Sequence, residues 1–380
     1  MSSITKRGTT WQYTVSRMID GKYKPIRKGG FRTKKEATLA AAQVEADLAK
    51  GIAEIKKDIP FAQYFLEWFQ TYKKDVSKVT LNSYYAAYNK IKDHFKDKPI
   101  QKITKRDYQN FLNILGEKNT RDTNKKLNGY IRTCIKESID EEIIKVDFTR
   151  NITVTGLSGK KSSEKFLDYT NCQILLKELY QNLEKGIENL MLILALVSGV
   201  RYGELIGLCI DDLNFQNNTI KIERQWKYKE GGGFGPLKNE SSYRTITIDK
   251  QTMGLLKGHI KKLKKEVNNI HNLIFFDSSS DISVVTNDRL NDVLRSILNR
   301  LNIKPLIGVH GLRHTHASVL LYKNISVLYV SERLGHSGVD ITTSTYAHVL
   351  KELRERDSRQ TSNIFEELLG DEKKKTQNTL

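Results

Sequence analysis

Residues 309–321, VHGLRHTHASVLL, have the spacing of a helix, yet His310, Arg313, His314 and His316 crowd into seven positions. A helix buried on all sides does not carry so many cationic or titratable groups without a use for them. At about 100° per residue, His310, Arg313, His314 and Ala317 share one face, and Leu312 and Val319 fall opposite. One side therefore packs while the other presents cations. His310 and His314, four apart, also have the spacing of zinc ligands on a helix. That motif needs a glutamate between its histidines, which is absent here, and Arg313 would repel a metal ion. The expected guest is an anion, and no metal or other cofactor is expected.

Composition says which kind of anion. The chain has 380 residues with 63 Lys and Arg against 44 Asp and Glu, a formal net charge of +19. Such an excess points to a polyanion, nucleic acid first, ahead of the plainer reading of a basic enzyme from a lysine-rich proteome. The length suits two or three domains. No run of eighteen apolar residues exists to span a bilayer, and the N-terminal MSSITKRGTTWQYTV lacks the apolar stretch of a secretory signal. Cys134, Cys172 and Cys209 are far apart with no CxxC spacing, so neither a disulfide framework nor a cysteine zinc site is expected. These readings predict a protein of the cytoplasm with no membrane partner.

Residues 1–57 hold 13 basic and 5 acidic residues, in short alternating runs broken at Asp20-Gly21 and Gly29-Gly30. That pattern predicts a small antiparallel sheet. Thr33 with Glu36 starts a helix whose stripe is Ala37, Ala40, Ala41, Val44 and Leu48. Arg17, Lys22, Lys24, Arg27 and Lys28 would let such a sheet enter a DNA groove, the alternative being an inert basic cap. Residues 58–150 turn purely helical. Pro60 opens a helix with Phe61, Phe65, Trp68, Phe69 and Tyr72 in register. Tyr84, Tyr88, Ile91 and Phe95 mark a second helix, Thr104 with Asp107 caps a third, and Leu127, Ile131, Cys134 and Ile135 mark a fourth. These stripes read as core. Lys73, Lys74, Lys125 and Lys126 fall between them, placed for phosphate contacts or as plain solubilising charge. Residues 151–165, NITVTGLSGKKSSEK, lack periodicity and read as a linker.

From 166 to 360 a mixed, mainly helical domain is expected, with helices near 170–184 and 188–208 and β runs TIKIERQWKY and YRTITI around EGGGFG. Within it ALVSGVRYGELIGL carries a long apolar helix, a Ser-Gly break, and Arg201 with Glu204 three residues on. An Arg so close behind an apolar run is held near the interior, beyond what an ordinary intrahelical ion pair requires. The tail, 361–380, carries Ile364, Phe365, Leu368 and Leu369 as a short amphipathic helix.

Taken together, SGVRYGEL, PLKNESSYRTITI, HGLRHTHAS, and LGHS followed by TYAHV resemble the tyrosine recombinase, or phage integrase, family over essentially the whole chain. Any one box is weak; their shared order and spacing are specific. Residues 1–57 resemble the arm-type DNA-binding module of integrases from Gram-positive phages and conjugative transposons, and 58–150 the core-type DNA-binding domain. The implied fold is multidomain: a β-sheet-plus-helix module, an all-α core-binding domain, and a mainly α catalytic domain with a small antiparallel sheet. The implied catalytic set is Arg201, Lys238, His310, Arg313, His336 and the nucleophile Tyr346, with Glu204 supporting Arg201. Lys227 and Lys229 compete with Lys238 for the lysine role.

The chemistry needs these residue types. Attack on a phosphodiester builds negative charge on the non-bridging oxygens, which two guanidinium forks and His336 can bind. A phenol with a pKa near 10 costs about 4 kcal/mol to ionise at neutral pH, so cations beside Tyr346 and a proton acceptor, expected to be His310, are required. Lys238 would protonate the departing 5′ oxygen. The resemblance further implies a 3′-phosphotyrosyl intermediate, a Holliday junction and a homotetramer on double-stranded core and arm sites. An excisionase and a host DNA-bending protein are the accessory partners it suggests, and tail docking onto a neighbouring subunit is the expected tail role. Rival readings are a type IB topoisomerase, which would relax supercoils without joining partners and against which the added basic module argues, and a non-catalytic regulator on the same scaffold. A metal nuclease would need clustered carboxylates that the sequence does not offer.

Overall fold

Alternation builds the first module. In a computed structural model that describes residues 2–19, 22–49, 58–263 and 269–347, with Ser358, Thr361 and Ile364, strands β1 (Ser2–Arg7), β2 (Thr10–Val15) and β5 (Ile26–Phe31) form an antiparallel sheet in the order β1-β2-β5. A short hairpin of β3 (Met18–Ile19) and β4 (Lys22–Tyr23) lies between β2 and β5 in sequence. Tyr13, Val15 and Ile26 are buried with Ala41 of helix α1 (Lys34–Ala49), so one sheet face is covered. Thr14 and Arg27 pair across the strands on the opposite face, and Gln12 donates to Thr5 Oγ1 at 3.0 Å beside them. Thr33 Oγ1 accepts from Glu36 N at 3.2 Å, and the Glu36 carboxylate reaches back to Arg32 N at 3.0 Å. The helix start is thus closed from both sides.

Four helices follow: α2 (Phe61–Tyr72), α3 (Lys78–Phe95), α4 (Lys105–Gly116) and α5 (Arg121–Asp140). Their apolar stripes meet in one core that contains Phe61, Phe65, Trp68, Phe69, Ile91, Phe111, Ile131 and Ile135. Thr104 and Asp107 make the full reciprocal box at the start of α4. Residues 151–157, read from sequence as linker, are bound to this unit. Gln109 bonds both the N–H and the carbonyl of Thr153, Asn124 donates to Thr155 O, and Leu157 N donates to Asn119 O. These contacts join side chain to backbone or backbone to backbone between residues far apart in the chain, and leave no periodic trace in a sequence. The chain divides into two compact units after Leu157.

The second unit comprises α6 (Tyr169–Gln181), α7 (Ile187–Ser198), α8 (Tyr202–Ile206), β6 (Leu213–Asn214), β7 (Thr219–Ile222), β8 (Gln225–Trp226), β9 (Phe234–Gly235), β10 (Arg244–Thr247) and α9 (Lys250–Leu263), then α10 (Asn287–Arg300), α11 (Val309–Tyr322), α12 (Val327–Leu334) and α13 (Val339–Thr345). Helix α7 is buried continuously from Leu190 to Leu196 and forms the axis of the core. The sheet β10-β7-β6 is antiparallel and β8-β9 a separate hairpin. A second, small apolar cluster holds Ala317, Leu321, Val330, Leu334 and Tyr346. Among the described residues no helix is long and apolar enough to cross a membrane. Phe365, Leu368 and Leu369 of the expected tail helix lie outside the described residues, while Ile364 is exposed.

Replacing Thr104 by Ala removes its half of the box at the head of α4. Urea unfolding should register a loss of about 1 kcal/mol, and an unchanged midpoint would show that this cap carries no weight.

Candidate active site

The site begins where α7 ends. Gly199 sits at φ +68°, and a Cβ there would come 2.6 Å from the His316 ring and 2.9 Å from Leu334. Only glycine fits, and the chain turns sharply into Arg201 at the head of α8. Arg201 N donates to Glu204 Oε2 at 2.9 Å and Arg201 Nη1 to Glu204 Oε1 at 2.7 Å. Its Nη2 reaches the Gly335 carbonyl at 2.9 Å and its Nη1 reaches Ser242 Oγ at 3.3 Å.

Arg313, only 4% exposed, rises from α11 into the same place. It donates to the carbonyls of Gly199 and Leu334, both at 2.7 Å. The turns at 199–201 and 334–336 are therefore held by both arginines that the sequence had singled out. Burial, and then Arg201, pull Arg313 down to about 9, which leaves it protonated at neutral pH.

A third arginine, Arg244, completes the cluster. It donates to Glu204 Oε2 at 2.9 Å, to Arg333 O at 2.7 Å and to Ser242 O at 2.7 Å. Burial alone would raise Glu204, but Arg244 and then Arg201 hold it below the usual carboxylate range. The sequence reading passed over Arg244. The signal was present, since period two along β10 puts Arg244 on the same face as buried Ile246.

The histidines divide by partner. His336 Nδ1 lies 2.7 Å from Thr342 Oγ1, and burial followed by Arg313 and Arg201 lowers it to about 4. His316, fully buried, donates from Nδ1 to Leu196 O at 2.9 Å and accepts from Arg333 Nε at 3.0 Å. Arg333 also reaches the carbonyls of Val197 and Thr247, so this pair ties the end of α7 to β10 and α12. His310 is solvent-exposed at its surface yet crowded, and loss of hydration, then Arg313 and Arg201, lower it.

Tyr346 follows α13 as its C-cap. It is 2% exposed, and its hydroxyl lies 2.9 Å from His314 Nδ1, not beside His310 as expected. Burial pushes its phenol up, opposed by Arg313. Lys238, exposed just after β9, makes no hydrogen bond or ion pair among the described residues. Its competitors are engaged: Lys227 pairs with Glu230 at 3.6 Å and Lys229 lies over the Tyr228 ring.

The basic residues named for DNA belong to the first of the two compact units. Lys22, Lys24, Arg27 and Lys28 are exposed on the first module, and Arg17 Nε donates to Lys24 O at 3.4 Å. Lys73 and Lys126 lie over Trp68 and Tyr130, with Lys74 and Lys125 exposed beside them. Among the described residues no group of three or more His, Cys, Asp or Glu could hold a metal ion.

Three family models match the chain: the Phage integrase family over residues 165–352, an Arm DNA-binding domain over 2–48, and the Phage integrase, N-terminal SAM-like domain over 60–116. The ICEBs1 integrase of Bacillus subtilis is 24% identical over 83% of this chain and 86% of its own length. A prophage ps2 probable integrase of Lactococcus lactis is 26% identical over 76% and 79%. Among solved structures, the Tn1549 transposon integrase in complex with transposon right end DNA matches with a TM-score of 0.68 at 16% identity, over 78% of this chain and 99% of that one. A lambda integrase dimer bound to a COC′ core site matches at 0.58 and 16%, over 88% and 91%. Both show the same fold.

His314 and His336 near 4 and His316 near 3 all lie below the unfolded value of 6.5. Between those limits the unfolded chain binds more protons than the folded one, so stability must fall as pH drops through that window. Thermal melts of the DNA-free protein from about pH 7 to about pH 4 should track it, and a flat midpoint would contradict the neutral histidines. Gly199→Ala should unfold at markedly lower temperature, because the added methyl meets the His316 ring.

Proposed function

We propose, for a chain that belongs to the phage integrase family of tyrosine recombinases, that Tyr346 attacks a DNA phosphodiester held by Arg201, Arg313 and His336. The chain is a tyrosine site-specific recombinase of the integrase type acting on mobile genetic elements, and DNA is its substrate. One observation carries the residue assignment: the Tyr346 hydroxyl lies on the cationic face of α11, hydrogen-bonded to His314 and within the field of Arg313.

A guanidinium has five N–H donors. Arg201 makes three bonds through its terminal nitrogens and Arg313 two, so both retain N–H groups for phosphate oxygens. Those donors are fixed in place before substrate arrives, which is the arrangement that stabilises a charged transition state most. The Tyr346 oxygen bonds to phosphorus, the bond to the 5′ oxygen breaks, and Lys238 supplies that oxygen with a proton. A 3′-phosphotyrosyl link keeps the bond energy in the protein, and reversal with a partner strand reseals the DNA through a Holliday junction. Glu204 fixes Arg201.

In this reading residues 1–57 hold arm sites through Arg17, Lys22, Lys24, Arg27 and Lys28. Residues 58–150 hold the core site with Lys73, Lys74, Lys125 and Lys126, joined to the catalytic domain (166–360) through 151–165. Four copies assemble on DNA in the bacterial cytoplasm, with 361–380 docking on a neighbour, aided by an excisionase and a host DNA-bending protein.

Tyr346→Phe should abolish cleavage of a nicked suicide substrate and leave duplex binding intact, and the covalent peptide from the native protein should map to Tyr346. DNA attached elsewhere overturns the assignment. Arg313→Lys should lower cleavage by on the order of 10²–10³, because a point charge cannot reproduce the fork.

A further inference from the structure

Two histidines compete for the phenolic proton, and geometry separates them. His310 and His314 are one turn apart on α11, with rings edge to face at 87° and centroids 4.9 Å apart. Only His314 reaches the Tyr346 hydroxyl, with Nδ1 at 2.9 Å. The two rings belong to elements pinned independently. Thr315 Oγ1, next to His314, accepts from Leu167 N at 2.9 Å, while Tyr346 N donates to Thr342 O at 3.0 Å. His310 meets no described hydrogen-bond partner and faces outward.

We propose that His314, rather than His310, accepts the Tyr346 proton as the strand is cut and returns it on resealing. The inference rests on Tyr346 being the nucleophile. As attack proceeds, the tyrosine O–H bond breaks and Nδ1–H forms on His314. The freed oxygen pair bonds to phosphorus, the bond to the 5′ oxygen breaks, and that oxygen takes its proton from Lys238. Charge balances within the site: one imidazolium appears as Lys238 gives up its ammonium proton, and the phosphodiester keeps its single negative charge.

The surroundings suit the task. Burial, then His310 and Arg313 of α11, then Lys165 from the segment before α6, lower His314 to about 4, so the ring is neutral at neutral pH, and in its Nε2–H tautomer Nδ1 accepts from the phenol. His336, beyond α12, and the phenol after α13 are the other titratable groups that face it. A ring so surrounded by cations is a poor base until a phosphate arrives and offsets them. Proton removal is then tied to the presence of DNA, and the uncomplexed enzyme keeps its tyrosine protonated.

His314→Asn retains a hydrogen-bonding atom near the Nδ1 position but cannot take a proton at neutral pH. Cleavage should be measured on ordinary suicide DNA and on the same DNA with sulfur replacing the bridging 5′ oxygen, a leaving group that needs no proton. Lys238→Ala should fail on the first and recover on the second. His314→Asn should lose on the order of 10²–10⁴ on both, and regain rate as pH rises toward phenol ionisation. His310→Asn should lack that pH-dependent recovery. Wild-type rates in His314→Asn, a loss that pH does not relieve, or the predicted profile appearing in His310→Asn instead would each sink the proposal. Should His314→Asn fail to fold, nitrogen NMR of labelled histidine in the native protein decides. An unprotonated Nδ1 is required in the DNA-free state, and a protonated one overturns the assignment. Cleavage by Tyr346→Phe would instead overturn the nucleophile reading, whatever His314 does.

Discussion

The catalytic unit depends on one buried carboxylate. Glu204, with a side chain only 3% exposed, accepts from Arg201 on one oxygen and from Arg244 on the other. Arg313 stands near enough to lose basicity to both cations. Three guanidiniums so close repel one another strongly where water is scarce. A shared carboxylate and a shell of backbone carbonyls make the cluster tolerable, and stripping a buried pair of one partner costs about 3–5 kcal/mol. The α7–α8 turn, strand β10 and the α12–α13 turn all converge on this charge.

Around that centre, one physical effect sorts the ionisable groups. Burial leaves Arg313 charged because its ordinary value is so high, drives the histidines neutral, and keeps the phenol protonated. The DNA-free site is thus rich in fixed positive charge and holds its reactive groups in their quiet forms. In the proposed reaction a phosphate bound among the guanidiniums would offset their charge and raise the basicity of the neighbouring imidazoles, so that a neutral ring can take up a proton.

Much of this was legible in the sequence, for reasons that differ by element. Helix periodicity located α2 to α5, because each stripe is a local record of burial. The Ser-Gly break before Arg201 was readable because only glycine tolerates the positive φ there. The wheel placed His310 and His314 on one face but could not say which ring meets Tyr346, since that depends on where α13 docks. Arg244 escaped notice because a lone cation in a short β run looks like an exposed residue until its face is counted. Residues 151–157 showed no pattern, as their order comes from Gln109, Asn119 and Asn124, far away in sequence.

The arginines that would grip DNA also grip the protein. Gly199, Leu334 and Gly335 are held through their carbonyls by the two arginines assigned to the phosphate, and Arg333 by their neighbour Arg244. The proposed grip on DNA and the fold therefore draw on the same side chains. A lineage that gave up strand exchange could not shed these side chains one at a time, because each loss would loosen the turns that shape the domain. A passive DNA-binding descendant would therefore keep the trio of arginines for the sake of its fold.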